Sequence, residues 1–235
     1  MPRLVSVLVA CAAVLRPARA PATGSMTVLF QDDFERGLSA RWVERGFPSI
    51  ARKNVFSRGV EPGGNHYLRV TSEDSYSGKG LYLRFSVERC PTVRWRWVVS
   101  NVVAAGDLRH RDGDDAAAKF YVVFAGPSWW NPLDKRVLVY LWDNAAAKGT
   151  ILPNAWMPDR ARMIVLESGR AAVGGWVTEH VDLAADFARA FPGERPGRVE
   201  GVAFLADTDN THSQVWAGLD DLEIRCTRGG SGAPR

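Results

Sequence analysis

Little in this sequence is built for covalent or redox chemistry. Only three cysteines and four histidines occur in 235 residues, and no Cys or His stands at a spacing that suggests a zinc set or a thiol beside its base. There is no G-x-S-x-G elbow, no H-E-x-x-H, no phosphate-binding loop and no G-x-G-x-x-G at a strand–helix junction. The commonest plans for hydrolases, metalloproteases and nucleotide-binding enzymes are thereby missing. No apolar run reaches the roughly 20 residues a membrane-spanning helix needs. Charge of one sign is also scarce. The isoelectric point near 9.1 owes much to Arg3, Arg16 and Arg19; without residues 1–20 the chain carries 27 basic residues against 26 acidic ones. No Lys/Arg run is interleaved with aromatics, so nucleic acid is not an expected partner. No internal repeat is present.

What is there begins with a leader. Met1-Pro-Arg3 is a short basic opening, Leu4–Leu15 is apolar, and Ala18-Arg19-Ala20 is a small-x-small cleavage pattern before Pro21. Residues 1–20 therefore read as a secretory signal, with export to the periplasm or beyond. Two alternatives stay open. Leu8–Cys11 is lipobox-like, and a start at Met26 would leave the protein in the cytoplasm. Residues 21–26 read as a linker, 27–226 as one domain and 227–235 as a flexible tail. Within the domain Cys90 and Cys226 are the only thiols; they suit either a disulfide or two separate small apolar positions.

Period-two patterns dominate. Leu81, Leu83, Phe85 and Val87 alternate with polar residues, and Val93, Trp95, Trp97 and Val99 do so opposite Arg94 and Arg96. Further strands are expected over 27–31, 67–71, 119–125, 136–142, 162–167, 175–182, 198–206 and 214–225. Leu183–Phe191 is the one helical pattern. Many short strands with a single helix predict an all-β fold, a jelly-roll-like β-sandwich of antiparallel sheets with one short helix.

The most informative stretch is Gly201–Thr211. Its buried-strand pattern, Val202–Ala206, ends in Asp207, Thr208, Asp209, Asn210 and Thr211. Five oxygen-bearing side chains in a row need partners: water, backbone amides, a hard cation or a hydroxyl-rich ligand. If strand 119–125 runs antiparallel to both 136–142 and 198–206, then Asp112, Asp114 and Asp115 arrive at the same sheet end as Trp142, Asp143 and Asn144, with Asp207 and Asp209. Such a cluster fits turn capping, a Ca²⁺ site or a carboxylate pair for glycoside hydrolysis. His110 and His212 flank the two acidic motifs, which adds a His–Asp site as an option. Of the nine tryptophans, Trp95 and Trp97 are in core register. Trp129 and Trp130, in a Pro/Gly loop, and Trp142, beside Asp143, are candidate stacking faces for sugar rings.

Two resemblances follow from these motifs. Gly218–Ile224 resembles the last strand of carbohydrate-binding jelly rolls. That likeness implies a structural Ca²⁺ held by Asp220 or Asp221 with an N-terminal acid, Asp32 or Glu35. Six ordered motifs cover nearly the whole mature chain: W-R-W (Trp95–Trp97), Gly113–Phe124, V-Y-L-W (Val139–Trp142), V-L-E-S-G (Val165–Gly169), G-W-V-T-E (Gly175–Glu179) and A-D-T-D-N-T (Ala206–Thr211). Together they resemble the bacterial family of domain of unknown function 3047. The resemblance implies an exported β-sandwich and supplies no activity; Lys119 falls where that family usually has arginine.

The sequence as a whole points to a non-catalytic, monomeric binding domain for a glycan or other polyhydroxyl ligand. Asp114, Asp115, Asp207, Asp209 and Asn210 are its candidate polar contacts, Trp129, Trp130 and Trp142 its stacking faces, and Ca²⁺ its only candidate cofactor. A glycan hydrolase or lyase using an Asp pair, and an envelope protein-interaction domain, are the alternatives.

Overall fold

Alternation of side chains decides the architecture. The structure, a computed structural model, describes residues 26–128, 131 and 133–227. In chain order the strands are β1 (Met26–Asp32), β2 (Trp42–Arg45), β3 (Val55–Val60), β4 (His66–Glu73), β5 (Gly78–Phe85), β6 (Thr92–Val99), β7 (Ala116–Ala125) and β8 (Lys135–Asp143). After them come β9 (Ile151–Pro153), β10 (Ala161–Ser168), β11 (Val177–Asp182), β12 (Val199–Asp207) and β13 (Gln214–Thr227). One sheet has the order β11-β6-β13-β4-β3 with β1 also on β13; the other has β2-β5-β12-β7-β8-β10-β9.

The apolar halves of the period-two patterns face each other between these sheets. Val93, Trp95, Trp97 and Val99 of β6 are fully buried. Trp95 stacks on Phe120 of β7 with ring centroids 4.5 Å apart, and Trp97 meets Trp142 of β8 at 6.0 Å. Aromatics of this size, one from each layer, fill the space between two packed sheets. The helix α1 (Leu183–Ala190) starts where Asp182 accepts hydrogen bonds from the amides of Ala184 and Ala185, an N-cap. It closes one end of the sandwich through Phe187, which packs on Phe124 and Phe191. Cys90 and Cys226 are disulfide-bonded.

The all-β sandwich with one short helix stands as read from the sequence. Three strands lay outside that reading: β2, β3 and β9 are edge or near-edge segments, and β3 exposes Val55 and Val60, so they lack a clean inward face. One pairing also differs from the antiparallel expectation. β10 runs parallel to β8, with Ala161 beside Val137 and Met163 beside Val139. The chain between them turns back through β9, which is antiparallel to β10, so the crossover is made within a single sheet edge. Among the described residues no helix is long and apolar enough to cross a membrane.

Candidate functional site

The outward face of the seven-stranded sheet is half covered. Val137, Val139 and Leu141 of β8 with Ala161, Met163 and Val165 of β10 form a second small apolar cluster, closed over by Leu108 and Ala116. Across β12 and β5 the same face is bare, because Gly201 and Ala203 alternate with the inward Val202 and Phe204, and Gly78 and Gly80 do the same on β5. Small residues on one face of neighbouring strands leave a trough. It consists of two cavities, about 390 and 360 Å³, that share Phe47, Tyr76 and Tyr121. Exposed aromatics stand on its walls: Tyr82 is 68% exposed, Phe47 52% and Trp156 52%. Loops hold two of them. Lys53 Nζ donates to the carbonyl of Phe47 (2.7 Å), and Asn154 Oδ1 accepts from the amides of Trp156 (3.1 Å) and Met157 (3.0 Å).

One end of the trough is acidic. The antiparallel pairings β7–β8 and β12–β7 bring the loop before β7 to the end of β12, as the sequence suggested. Lys119, on the outward face of β7, is buried beneath that end. Its Nζ donates to the Asp114 carbonyl (2.8 Å), to Asp114 Oδ1 (3.0 Å) and to Asp207 Oδ2 (2.8 Å). Asp114 Oδ2 accepts from Asn154 Nδ2 (2.9 Å), which ties the acidic end to the Trp156 turn. Asp115 folds the loop after β12, accepting from the amides of Asn210 (3.3 Å) and Thr211 (2.7 Å) and from Thr211 Oγ1 (2.6 Å). Beneath it Ser72, Ser75, Asn54 and Thr208 form a buried hydrogen-bonded network that joins the two sheets.

The electrostatics are lopsided. Asp115, Asp207 and Asp209 each place an oxygen within 4.8 Å of the others, and such a group could coordinate a metal ion. Asp207 Oδ1 is buried and receives no hydrogen bond from the described residues. Burial raises the Asp207 carboxyl well above the ordinary range; Lys119 opposes this, and Asp209 and Asp115 add to it. Burial works against the Lys119 charge, but Asp114 and Asp207 outweigh it and hold the ammonium protonated. Tyr76 is pushed up to about 12, first by burial and then by Asp207. Tyr121 is raised too, by burial and then by Tyr76. Both phenols are therefore neutral hydroxyls.

The family model matches residues 40–223, a span that holds both cavities and every acid of the cluster. The chain belongs to the DUF3047 family, described as protein of unknown function. No curated protein matches it. Among solved structures, this DUF3047 chain is similar to the tandem CBM22 domain of Xyn10C from Paenibacillus barcinonensis, at 17% identity and a TM-score of 0.43. That match covers 92% of the present chain and 49% of the other, so the chain spans about half the length of that structure. It is similar to the cellulose-induced protein Cip1 at 15% identity and a TM-score of 0.37, covering 86% of this chain and 100% of that one. It is similar to endoglucanase 3 of Trichoderma harzianum, from family GH12, at 8% identity and a TM-score of 0.41, covering 88% and 99%.

Against this geometry the sequence-derived candidates divide. Asp114, Asp207, Asp209 and Asn210 line the acidic cavity, and Asp115 supports it. Trp142 is not a stacking face: it is 1% exposed, points inward with Leu138 and Tyr140, and donates from Nε1 to the Gly169 carbonyl. Trp129 and Trp130 lie outside the described residues. Asp32, Glu35, Asp220 and Asp221 are not gathered as a ligand set. Asp32 accepts from the Phe34 amide and from Trp42 Nε1, Glu35 pairs with His66, and Asp220 and Asp221 share Arg96. Asp32 and Asp221 do line one small cavity of about 190 Å³, together with Arg94. Lys119, Tyr76, Tyr121, Phe47, Trp156 and Asn154 were missed. Only Lys119 left a trace, a charge beside an apolar run; Phe47, Tyr76 and Trp156 lie outside the regular strands, and Tyr121 is lost in the apolar run of β7 between Phe120 and Val122.

Proposed function

We propose that this DUF3047 protein binds an extended polyhydroxyl ligand, a glycan chain, along the trough of the seven-stranded sheet, and that it does so without turning the ligand over. The observation that carries the reading is the trough itself. Exposed aromatic walls flank a glycine floor, and the polar groups gather at one end. Apolar ring faces stack on such walls while carboxylates and amides take up hydroxyls, the division of labour expected of a ligand cleft. The leader-like N-terminus and the disulfide favour export, since disulfides persist in oxidising compartments.

Calcium is the metal an all-oxygen cluster such as Asp115, Asp207 and Asp209 would take, so binding is measured with Ca²⁺ and again with EDTA. A glycan array followed by calorimetry tests the reading. Tyr82→Ala and Trp156→Ala are each expected to weaken binding about 2- to 10-fold, the equivalent of one stacking contact, with circular dichroism unchanged. The rival is an Asp-pair glycosidase or lyase, favoured by the raised Asp207 carboxyl beside Asp209. Sugar release by the parent protein that disappears in Asp209→Asn would replace the binding reading with that one. No binding to any glycan would remove both.

A further inference from the structure

We infer that the acidic end of the trough recognises a protonated amine, so that the glycan bound there carries a free amino group on one of its sugar units. The inference rests on the glycan reading above and narrows it. Three aspartates, Asp114, Asp207 and Asp209, line this cavity, and among the described residues no lysine, arginine or histidine does. Lys119 lies beneath, already committed to Asp114 and Asp207. A neutral hydroxyl does nothing for that excess of negative charge, whereas a cation compensates it.

Asp207 supplies the second observation. It is 4% exposed, it lines the cavity, and its Oδ1 has no donor among the described residues. An unpaired buried carboxyl oxygen is costly; a ligand ammonium donates to it and, by its positive charge, favours the ionised form of the raised Asp207 carboxyl. The walls then choose between kinds of cation. Phe47 and Tyr76 stack with centroids 5.3 Å apart and planes at 20°, and Tyr121 completes that side. Aromatic faces attract ammonium groups. The Trp156 ring contributes less, because Arg111 already lies 5.0 Å from its centroid.

A hard metal ion suits the site less well. Ca²⁺ wants six to eight oxygens. Here Asp115 spends both oxygens on Asn210 and Thr211, and Asp207 Oδ2 already holds an ammonium. An amine asks for only three acceptors.

The test uses the full chain in EDTA at pH 6, where sugar amines are charged. Calorimetric titrations compare three β-linked oligosaccharides of equal length: fully deacetylated glucosamine, N-acetylated, and unsubstituted glucose. The deacetylated oligomer is expected to bind at least 10-fold more tightly than the other two. Asp209→Asn should erase that preference, bringing the affinities for the three oligomers to within about 2-fold of one another. Glu88→Gln, an exposed acid outside the trough, should change nothing; an equal loss there would reveal non-specific charge attraction and overturn the inference. Equal affinity for all three oligomers would also overturn it, while leaving the glycan reading intact. If none of the three binds and the glycan array is blank as well, that reading fails, and methylammonium, which keeps three N–H donors, becomes the deciding probe. Its binding, sensitive to Asp209→Asn, would support the amine site alone, and its failure would end the inference too. Binding of the deacetylated oligomer only after Ca²⁺ is restored would overturn the inference in favour of metal.

Discussion

Lys119 sits at the centre of the acidic end without touching solvent. Its ammonium is hydrogen-bonded to Asp114 twice and to Asp207 once. Removing one member of a buried ion pair leaves the others uncompensated, at a cost of about 3–5 kcal/mol. Lys119→Met should therefore lower the unfolding free energy by that order in urea titrations. The double variant Lys119→Met/Asp207→Asn should recover part of the loss, because it removes one of the stranded charges as well. A Lys119→Met variant as stable as the parent would mean that the lysine does not hold the cluster together. A lysine at this place was visible as an exception in an apolar pattern, but its partners were not, since Asp207 is 88 residues away in sequence.

At the scale of strands, glycine makes the trough, and its glycines are not equivalent. A Cβ on Gly80 would meet only ordinary contacts, the nearest being Arg45 Cγ at 3.6 Å, whereas a Cβ on Gly201 would lie 2.7 Å from the Leu81 carbonyl oxygen. Gly80→Val should fold, with stability unchanged or raised by about 0.5–1 kcal/mol since glycine is unfavourable within strands, and should abolish trough binding by filling its floor. Gly201→Ala should lose stability, because backbone must move. Thermal melts and calorimetry on the two variants separate a blocked groove from a damaged sheet. Much of this element-level picture was legible. The alternations of 81–87 and 93–99 gave the two inner faces, and antiparallel pairing alone carried Asp114 and Asp207 to one end. The walls were not legible. Phe47 and Trp156 come from loops of no fixed period, and Trp142, beside an acid in sequence, obeys the inward phase of β8. The parallel partnership of β8 and β10 was hidden for a related reason: a buried strand reads the same whichever direction its neighbour runs.

For the molecule as a whole, stability is set by how the two layers are joined, and one joint titrates. Cys90–Cys226 closes a loop of 136 residues; opening it by Cys90→Ala/Cys226→Ala should cost about 2–4 kcal/mol in denaturant titrations. The pH-sensitive joint lies at the edge where β11 and β10 approach. Glu179 of β11 is pushed up to about 7, first by burial and then by Glu167 of β10, while Trp97 Nε1 (3.1 Å) and Lys148 work the other way. Its ordinary value is 4.5, so between those two pH values the folded protein holds a proton that the unfolded chain has released. Stability contributed by that protonated carboxyl is complete below about 4.5 and is lost as pH climbs through 7. Glu179→Gln keeps an acceptor for the Trp97 indole and cannot ionise. Between pH 5 and pH 8 the parent should therefore lose stability relative to Glu179→Gln, and the gap should open mostly between pH 5 and 7. Urea midpoints of both proteins across that range measure it, with tryptophan fluorescence following the unfolding. Two parallel curves would show that Glu179 titrates alike in both states, and that the edge between the sheets is wetter than its burial indicates.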